Sequence, residues 1–593
     1  PGGVHETLNS AWGLHLDNLV LLVDWNDYGI DNHKVSDVVY GDPSIWLGSH
    51  GWQVQGTEHG SEWEPVTELL LQTVADQGGD GKPKGAWFKT RKGRGYLKYD
   101  NLSHGSPHKK DSEIFWETKR EFAEKYGVLF TNFGGVAPGD AEAVREEFRA
   151  NLKAVIDVLS SDQALVDYLA DRLVAIGESV PEELPGYLLG DGNRTPFTDH
   201  RLYDYKNYPD DLFAVPGTKA ANRSALAKWG AWANTFGAHS YRRPLFMAAS
   251  ADLAGSTNIA GFAEAYGEFE GYGWYGLNGS QKGVLLPQEI TEFANAGLMA
   301  GIASTNLSLE PENQFEGFWG ACSTYGSFSY LKYGMLRLFS QMAQDSPWKV
   351  GKVLWIAGHS GPETADDSRT HFGIFAPGVT QLFPEGSVIN LHPWEHNEVP
   401  VMLGAALQLD VPIVALHLTR PSIEIPDRES LKIPSHFEAA KGAYVIRDYK
   451  TDCPKGGTVI VQGTSAVANV LKILPVLDTE EHNVKIVCAT SPELFRRQSQ
   501  AYQNTVLSPS ERMDSTIITT QARSQMHAWI FNPLAEEYAL SSDWDDHWRT
   551  GGTLEEVLDE AHLSPDWLLQ GITRFEVDRK RRLAELHNWL PND

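Results

Sequence analysis

The feature that most constrains the fold is a short apolar run that ends in a long polar loop. The clearest example begins at Val353, where five apolar residues up to Ala357 form a run of strand type that stops at Gly358. The loop that follows is dense in groups that transfer protons or bind hydroxyls: His359, Asp366, Asp367, Arg369 and His371. Open α/β sheets bind ligands at the carboxyl ends of their strands, so this pattern predicts a site in the loop. A solvated loop whose histidines cap nearby carbonyls is the alternative.

The same pattern occurs near the start of the chain. Leu16–Val23 is a near-continuous apolar run, which predicts a parallel strand buried on both faces. Asp24, Asn26 and Asp27 follow it and offer oxygen donors for a hard cation such as magnesium. For an isolated D-x-N-D, a strand-ending turn stabilised by Asx side chains is the simpler explanation.

Apolar runs and amphipathic stretches alternate along the rest of the chain. Short runs predict strands at 86–90, 244–248, 388–391, 411–416, 458–461 and 483–487. Helical periodicity is present at 6–14, from 112 to about 184, and at 223–234, 287–303 and 328–342. Strand–helix alternation predicts an α/β fold with three doubly wound units. Pro185–Pro216 is rich in Pro, Gly, Asp and Tyr and predicts a linker between domains.

Length and charge restrict the class of protein. A chain of 593 residues is too long for a single core. The formal net charge of −28 argues against nucleic acid or an anionic membrane as a partner, although a local basic pocket for a phosphorylated metabolite is compatible with it. Three scattered cysteines, Cys322, Cys453 and Cys488, favour a reducing cytoplasm over a disulfide framework or a zinc site. No apolar run approaches the roughly 18 residues of a membrane span, and Pro1-Gly2-Gly3 does not open a signal peptide.

Four stretches fall in the order and spacing of one family: LDNLVLLVDWN, SADLAGSTN, ITEFANAGLMAGIA and the loop ending in RTH. On these stretches the chain resembles a transketolase from about Val4 to its end. Transketolases move two-carbon ketol units from a ketose phosphate such as xylulose 5-phosphate to an aldose phosphate, through a thiamine diphosphate carbanion. The resemblance implies thiamine diphosphate with Mg²⁺ or Ca²⁺, and a homodimer with shared active sites. It implies two thiamine diphosphate-binding domains, residues 1–205 and 206–430, and a C-terminal domain, residues 431–593.

The resemblance also implies which residues hold the cofactor. Asn26 and the carbonyl of Tyr28 match the family's metal ligands, whereas the Gly-Asp-Gly half of that motif should precede Val4. We expect truncation, rather than a separate polypeptide, to explain its absence. Glu292 matches the catalytic glutamate that hydrogen-bonds the aminopyrimidine, and Phe328 and Tyr325 match the aromatic residues beside that ring. Without the family, Glu292 is an acid at a helix start, where a solvated residue favoured by the helix dipole is the alternative.

The remaining matches concern the substrate. His104 matches a histidine near the thiazolium, and His371 matches the histidine that transfers a proton to the substrate oxygen. Asp367 matches the aspartate that recognises a sugar hydroxyl. The residues matching the site for the terminal phosphate are His359, Arg420, Ser256 and Arg223. Two guanidiniums, an imidazole and a hydroxyl form a chemically sensible anion site.

Two departures leave the sugar specificity open. The family loop usually has Gly-Pro-Thr-His-Gln where this chain has Ser368-Arg369-Thr370-His371-Phe372, and Arg223 matches only if extra residues are allowed before Ser250. Another thiamine diphosphate enzyme is one alternative: a 1-deoxyxylulose 5-phosphate synthase, a dihydroxyacetone synthase or a 2-oxo acid dehydrogenase component. The phosphate site argues against the last of these. A non-catalytic transketolase-like protein is the other alternative. The presence of Glu292, His104, Asp367 and His371 argues against it.

Overall fold

The computed structural model describes residues 3–31, 33–75, 79–102, 104, 108–135, 139–178, 195–276, 279–308, 310–364, 369–479 and 482–589. The chain divides into two compact units. The smaller unit comprises residues 11–188, and the larger unit comprises residues 1–10 and 189–593.

The smaller unit is built on a three-stranded parallel sheet followed by helices. Its elements in chain order are α1 (Val4–Gly13, which contains the boundary between the units), β1 (Val20–Trp25), α2 (Pro43–Gly48), β2 (Gln53–Thr57), α3 (Trp63–Ala75), β3 (Lys84–Lys89), α4 (Glu113–Tyr126), α5 (Ala141–Ser160) and α6 (Gln163–Glu178). The sheet order is β1-β3-β2. Local chemistry sets the helix ends: Ser112 caps α4, and Gly127, at φ +64°, ends it.

The prediction for the first strand was wrong in one respect. β1 is parallel, as expected, but it is not buried on both faces, because Leu21 is 39% and Leu22 is 53% exposed. The reason is topological. Within the described part of this unit β1 is an edge strand, paired only with β3.

The larger unit begins with a six-stranded parallel sheet. Its elements are β4 (Lys219–Ala220), α7 (Asn222–Tyr241), β5 (Phe246–Ser250), β6 (Leu285–Leu286), α8 (Glu292–Ser304), β7 (Trp319–Thr324), α9 (Tyr333–Asp345), β8 (Val353–Ala357), α10 (Ala376–Thr380), β9 (Val388–Leu391), α11 (Glu398–Leu407), β10 (Ile413–His417) and β11 (Ile423–Glu424). The sheet order is β6-β5-β7-β8-β10-β9. β7, β8, β9 and β10 are buried along their whole length, as expected for a sheet covered on both faces.

Three expectations in this region need correction. Residues 195–216 are not a linker, because their 3₁₀ turns bring Leu202 and Leu212 into the core with no exposed surface. Helix α8 begins at Glu292 rather than Pro287, where the carboxylate of Glu6 accepts a hydrogen bond from the free backbone amide of Ala294 at 3.0 Å. Phe328 lies in a 3₁₀ helix, Gly326–Lys332, that precedes α9.

The remainder of the larger unit forms a second, five-stranded sheet. Its elements are β12 (Ala443–Arg447), β13 (Gly457–Gln462), α12 (Thr464–Thr479), β14 (Val484–Ala489), α13 (Pro492–Arg496), α14 (Gln500–Val506), α15 (Pro509–Met513), β15 (Ser515–Thr519), α16 (Pro533–Glu537), β16 (Leu540–Ser541), α17 (Leu554–Glu560), α18 (Pro565–Val577) and α19 (Arg579–Asn588). The order is β12-β14-β13-β15-β16, with only β12 antiparallel among these strands.

Parallel strands joined by helices make the protein an α/β protein, which confirms the predicted fold class. The domain boundaries after residues 205 and 430 stay predictions. Among the described residues, no helix combines the length and the apolar character needed to cross a membrane.

Candidate active site

The predicted site residues of the larger unit lie at one edge of the six-stranded sheet. All strands of this sheet are parallel, so the loops that follow them meet at its carboxyl edge. The loops after β5, β7, β8 and β10 carry, respectively, Ser256, Tyr325 with Phe328, His359 with His371, and Arg420. Residues from four separate loops are therefore brought to one place.

Arg223 and His359 form the centre of a cationic group. Nη1 of Arg223 donates to the carbonyl oxygen of Ser256 at 2.6 Å and to Nε2 of His359 at 2.7 Å. A guanidinium can only donate, so Nε2 accepts and the proton of the neutral ring lies on Nδ1. Burial, followed by the charges of Arg223, Arg420 and His371, lowers the pKa of His359 to about 3. The ring is therefore neutral at physiological pH.

The other ring nitrogen of His359, Nδ1, is a candidate donor to a ligand. His359 has no exposed surface, and its Nδ1 has no hydrogen-bond partner within the described part of the chain. Buried N–H groups in native proteins are almost always paired, so this one, beside Arg223, calls for an acceptor beyond the described residues. An anion held by Arg223, Arg420 and the Nδ1–H of His359 would satisfy it.

An aromatic group adjoins this cationic group. The ring of Tyr325 lies 4.1 Å from that of His359 and 4.9 Å from that of His371, both edge to face. The Tyr325 hydroxyl and Oγ of Ser256 are 3.1 Å apart. Phe328 stands parallel to Tyr325 at 6.4 Å and edge to face with His371 at 5.8 Å. The structure therefore brings together the predicted aromatic, imidazole and phosphate-binding residues.

Glu292 is buried, which overturns the alternative of a solvated helix terminus. Its side chain is 3% exposed, and its Oε1 accepts a hydrogen bond from Oγ1 of Thr324 at 2.9 Å. Helix α8 packs against the 3₁₀ helix that carries Phe328. The fully buried Lys332 donates to the carbonyl oxygens of Cys322 and Ile356, each at 3.1 Å. Burial lowers the pKa of Lys332, whereas Cys322 and Glu292 act to raise it.

A cavity of about 560 Å³ opens beside Phe328. Its other walls include Phe372, Phe375 and Trp548, and Arg369 contributes a positive charge. This volume lies in the range of small-molecule sites, roughly 300–1,000 Å³. Aromatic walls next to Phe328 suit a flat heterocycle.

The remaining predicted residues lie outside the described part of the larger unit. Asp367 lies outside the described residues. In the smaller unit, His104 is exposed, and Oδ1 of Asn26 accepts from the backbone amide of Tyr28 at 3.0 Å. That bond forms the Asx turn which was the alternative to a metal site. Among the described residues, no three His, Cys, Asp or Glu side chains converge to hold a metal.

The two halves of the implied cofactor fit the chain unequally. Buried Glu292, with the parallel rings of Tyr325 and Phe328 close by, suits an aminopyrimidine. For a metal, the side-chain oxygen of Asn26 and the carbonyl of Tyr28 are hard oxygen donors of the right kind. They are only two of the six or so ligands that Mg²⁺ requires.

Sequence reasoning missed several polar residues of this site. Thr324 and Lys332 are completely buried beside Glu292, and Asn295, one turn further along α8, has no hydrogen-bond partner for its amide among the described residues. The signal for Asn295 was its polarity within the apolar stretch ITEFANAGLMAGIA. Lys332 had no comparable signal, because its partners come from two separate strands.

Comparison with known proteins relates the chain to one family. Residues 442–537 match the family described as the transketolase-like TK C-terminal domain. The chain is 24% identical over 518 residues to transketolase 1 of Pasteurella multocida (strain Pm70) and 24% identical over 520 residues to the transketolase of Bacillus subtilis (strain 168). Each match covers 85% of this chain and 66% of the relative, so the chain spans slightly under two thirds of their length.

Solved structures show the same fold. The transketolase of Campylobacter jejuni subsp. jejuni NCTC 11168 superposes with a TM-score of 0.64 at 17% identity, over 97% of this chain and 76% of that one. The transketolase of Leishmania mexicana superposes with a TM-score of 0.65 at 16% identity, over 98% of this chain and 74% of that one. The likeness extends over nearly the whole chain.

Proposed function

We propose that this chain, a homologue of the transketolases with their C-terminal domain, transfers a two-carbon ketol unit from a ketose phosphate such as xylulose 5-phosphate to an aldose phosphate. One observation carries the proposal. The Arg223–His359 pair lies beside the aromatic pair of Tyr325 and Phe328 at the sheet edge, and the Nδ1–H of His359 has no partner among the residues that the structure describes. A phosphate site next to a cofactor-ring site is what this reaction requires.

The cofactor in this proposal is thiamine diphosphate with Mg²⁺ or Ca²⁺. When bound, thiamine diphosphate supplies the carbon nucleophile that carries the two-carbon unit. Glu292 would hold a proton at the aminopyrimidine ring, since Thr324 orients its carboxyl and burial strengthens the bond. Phe328 and Tyr325 would flank that ring, and Asn26 and the carbonyl of Tyr28 would bind the metal.

The substrate residues follow from charge and position. Arg223, Arg420, His359 and Ser256 would bind the phosphate of the sugar, which places its reacting end toward His371. His371 and His104 would transfer protons to substrate oxygens, and Asp367 would bind a sugar hydroxyl. The apolar walls of the cavity around Phe328 would shield part of a bound cofactor from water.

The decisive experiment supplies the chain with thiamine diphosphate, Mg²⁺, xylulose 5-phosphate and ribose 5-phosphate. Formation of sedoheptulose 7-phosphate is the expected result. Turnover that requires pyruvate would instead assign the chain to the 1-deoxyxylulose 5-phosphate synthase type. Cofactor binding without turnover of either substrate would assign it to the non-catalytic alternative.

Assembly and location complete the proposal. We propose three domains, residues 1–205, 206–430 and 431–593, a homodimer with shared active sites, and a cytoplasmic location. Two of the three free cysteines, Cys322 and Cys488, are buried, and the third, Cys453, is exposed; all three suit a reducing compartment. Sedimentation at micromolar concentration should give the mass of a dimer, and a stable, active monomer would contradict the assembly.

A further inference from the structure

A second buried carboxyl group, Glu363, lies in the loop between β8 and His371. It belongs to the short 3₁₀ turn Pro362–Thr364 and is 4% exposed. Its Oε1 accepts a hydrogen bond from the backbone amide of Ser465 at 3.4 Å. Ser465 is the second residue of α12, so the carboxyl group sits at the positive end of a helix that belongs to the other sheet of the larger unit.

The part of the second sheet that Glu363 contacts is the carboxyl end of β13, where α12 begins. β13 pairs with β14 on one side and with β15 on the other, so the carboxyl end of β13 is a topological switch point, where open α/β sheets bind ligands. The loop after β8 reaches this crevice, since Ser360 borders the space that remains in it. The space left there measures about 10 Å³ and is bordered by Gly463 and Thr520, which is room for roughly one water.

The backbone around the carboxyl group is shaped to admit it. Gly361 has φ +90°, and a Cβ built on it would lie 2.0 Å from Oε2 of Glu363. A side chain at this position would therefore displace the carboxyl group. Oε2 of Glu363 and Oγ1 of Thr520 both lack a hydrogen-bond partner within the described residues.

The residues next to Glu363 are hydrogen-bonded to the segment that carries His371. Thr364, the next residue, donates from Oγ1 to the carbonyl oxygen of His371 at 3.1 Å. The backbone amide of Gly373 donates to the carbonyl of Gly361 at 3.4 Å, and that of Ala522 donates to the carbonyl of Ile374 at 2.9 Å. The described ends of the loop are thus tied to each other and to the second sheet.

We propose that Glu363 is a positioning residue whose carboxyl group, docked at the N-terminus of α12, holds in place the loop that presents His359 and His371. The C-terminal sheet then acts as the support of the substrate site. The kinetic part of this inference rests on the proposed function. Burial raises the pKa of Glu363 to about 7. A neutral carboxyl group still accepts a hydrogen bond from the Ser465 amide, so a glutamine side chain should serve equally well at this position.

The test compares four variants of the full chain, each with thiamine diphosphate and Mg²⁺. Glu363→Ala removes the acceptor, and Glu363→Gln keeps it. Ser465→Pro removes both the donating N–H and the hydroxyl in the first turn of a helix, where proline is tolerated. Ser465→Ala removes only the hydroxyl, which also hydrogen-bonds the Glu363 carboxyl group, so the difference between the two variants measures the N–H. Hydrogen exchange of peptides covering residues 369–375 reports the loop directly, and steady-state kinetics report kcat and KM.

Glu363→Ala and Ser465→Pro should speed exchange of residues 369–375 and lower kcat/KM about tenfold, as expected for one lost hydrogen bond to a buried carboxyl group. Glu363→Gln should stay within about twofold of the wild type, and Ser465→Ala should lose less than Ser465→Pro. If residues 369–375 of Glu363→Ala exchange at the wild-type rate, the proposal is overturned. If both Glu363 variants fail to fold, the two Ser465 variants decide. A difference in exchange between Ser465→Pro and Ser465→Ala supports the contact, and the absence of a difference overturns the proposal. Absent turnover in the wild type would sink the proposed function alone, because exchange still tests the loop.

Discussion

Nη1 of Arg223 and Nε2 of His359 lie 2.7 Å apart, although 136 residues separate them in the chain. This bond fixes the tautomer of a fully buried histidine, whose Nδ1–H has no acceptor in the described part of the chain. Arg420 contributes a further positive charge that His359 experiences. A neutral imidazole donor beside Arg223, in the field of the Arg420 charge, suits the terminal phosphate of a sugar.

Replacing Arg420 with alanine should raise KM for phosphorylated sugars far more than it lowers kcat. Loss of a charge-assisted bond to phosphate costs about 1.5–3 kcal/mol, which corresponds to roughly a tenfold to hundredfold change. Steady-state kinetics with xylulose 5-phosphate measure it. Arg496→Ala is the matched control, because Arg496 is exposed and pairs with Glu385 on the surface. An unchanged KM for Arg420→Ala would remove this residue from the site.

Replacing Glu292 with glutamine should abolish most catalysis and preserve the fold. The amide can still accept the Thr324 hydrogen bond, but it cannot exchange a proton with the cofactor ring. We expect kcat to fall on the order of a thousandfold, or about 4 kcal/mol. Cofactor binding and thermal unfolding should change little, and both must be measured beside turnover.

The control for Glu292 is Glu289→Gln, the same substitution at an exposed position three residues earlier. It should leave kcat unchanged. Turnover of Glu292→Gln within a fewfold of the wild type would refute the catalytic assignment. An inactive but unfolded protein would make Glu292 structural.

The buried histidines should make the protein sensitive to acid, and His436 offers a clean test. Burial, and then the charge of Arg428, lowers the pKa of His436 from 6.5 to about 4. Between these values the unfolded chain binds more protons than the folded one. The contribution of neutral His436 to the free energy of unfolding is therefore complete above pH 6.5 and is lost as the pH falls toward 4.

His436→Phe keeps a ring against Phe213, 5.1 Å away in the wild type, and removes the proton-binding group. The unfolding free energy of the wild type should fall relative to this variant by up to about 3 kcal/mol between pH 7 and 4. Urea unfolding at several pH values measures it. His547→Phe, at an exposed histidine, should show no such trend. Parallel pH curves for wild type and His436→Phe would contradict the prediction.

Removing the cation of a buried ionic cluster should be costly. Nη2 of Arg428 donates to Oε1 of Glu395 at 2.8 Å and to Oε1 of Glu398 at 3.0 Å, and both carboxylates are completely buried. Arg428→Met would leave two buried acids without their cation, at a cost of about 3–5 kcal/mol. Urea unfolding is the measurement. Arg496→Met, at the exposed pair with Glu385, should cost no more than about 1 kcal/mol, and equal losses in the two variants would disprove the argument.

Much of the fold could be predicted from the sequence because its signals are local. The apolar run at 353–357 and the periodicity of 223–234 depend on residues within one or two turns of each other, and β8 and α7 formed there. The candidate site residues stay predictions, and they too depend on local signals, since Glu292, Phe328 and His359 each stand in or near a short stretch that resembles a transketolase motif. The misplaced start of α8 also has a physical reason: Glu6, which caps the first turn, is 288 residues away in the chain.

The amino-acid sequence by itself determined that segments such as 353–357 and 388–391 become buried strands, that the loop after residue 357 holds titratable groups, and that Glu292 lies in the first part of a predicted helix. Only the tertiary structure decided that β1 lies at a sheet edge with exposed leucines, that Lys332 lies buried beside Glu292, and that Glu363 docks on α12. The physical reason is the distance along the chain over which each signal acts. Periodicity acts between neighbours in sequence, whereas burial and hydrogen-bond partners depend on sheet order, which places Glu363 against Ser465 across 102 residues of chain.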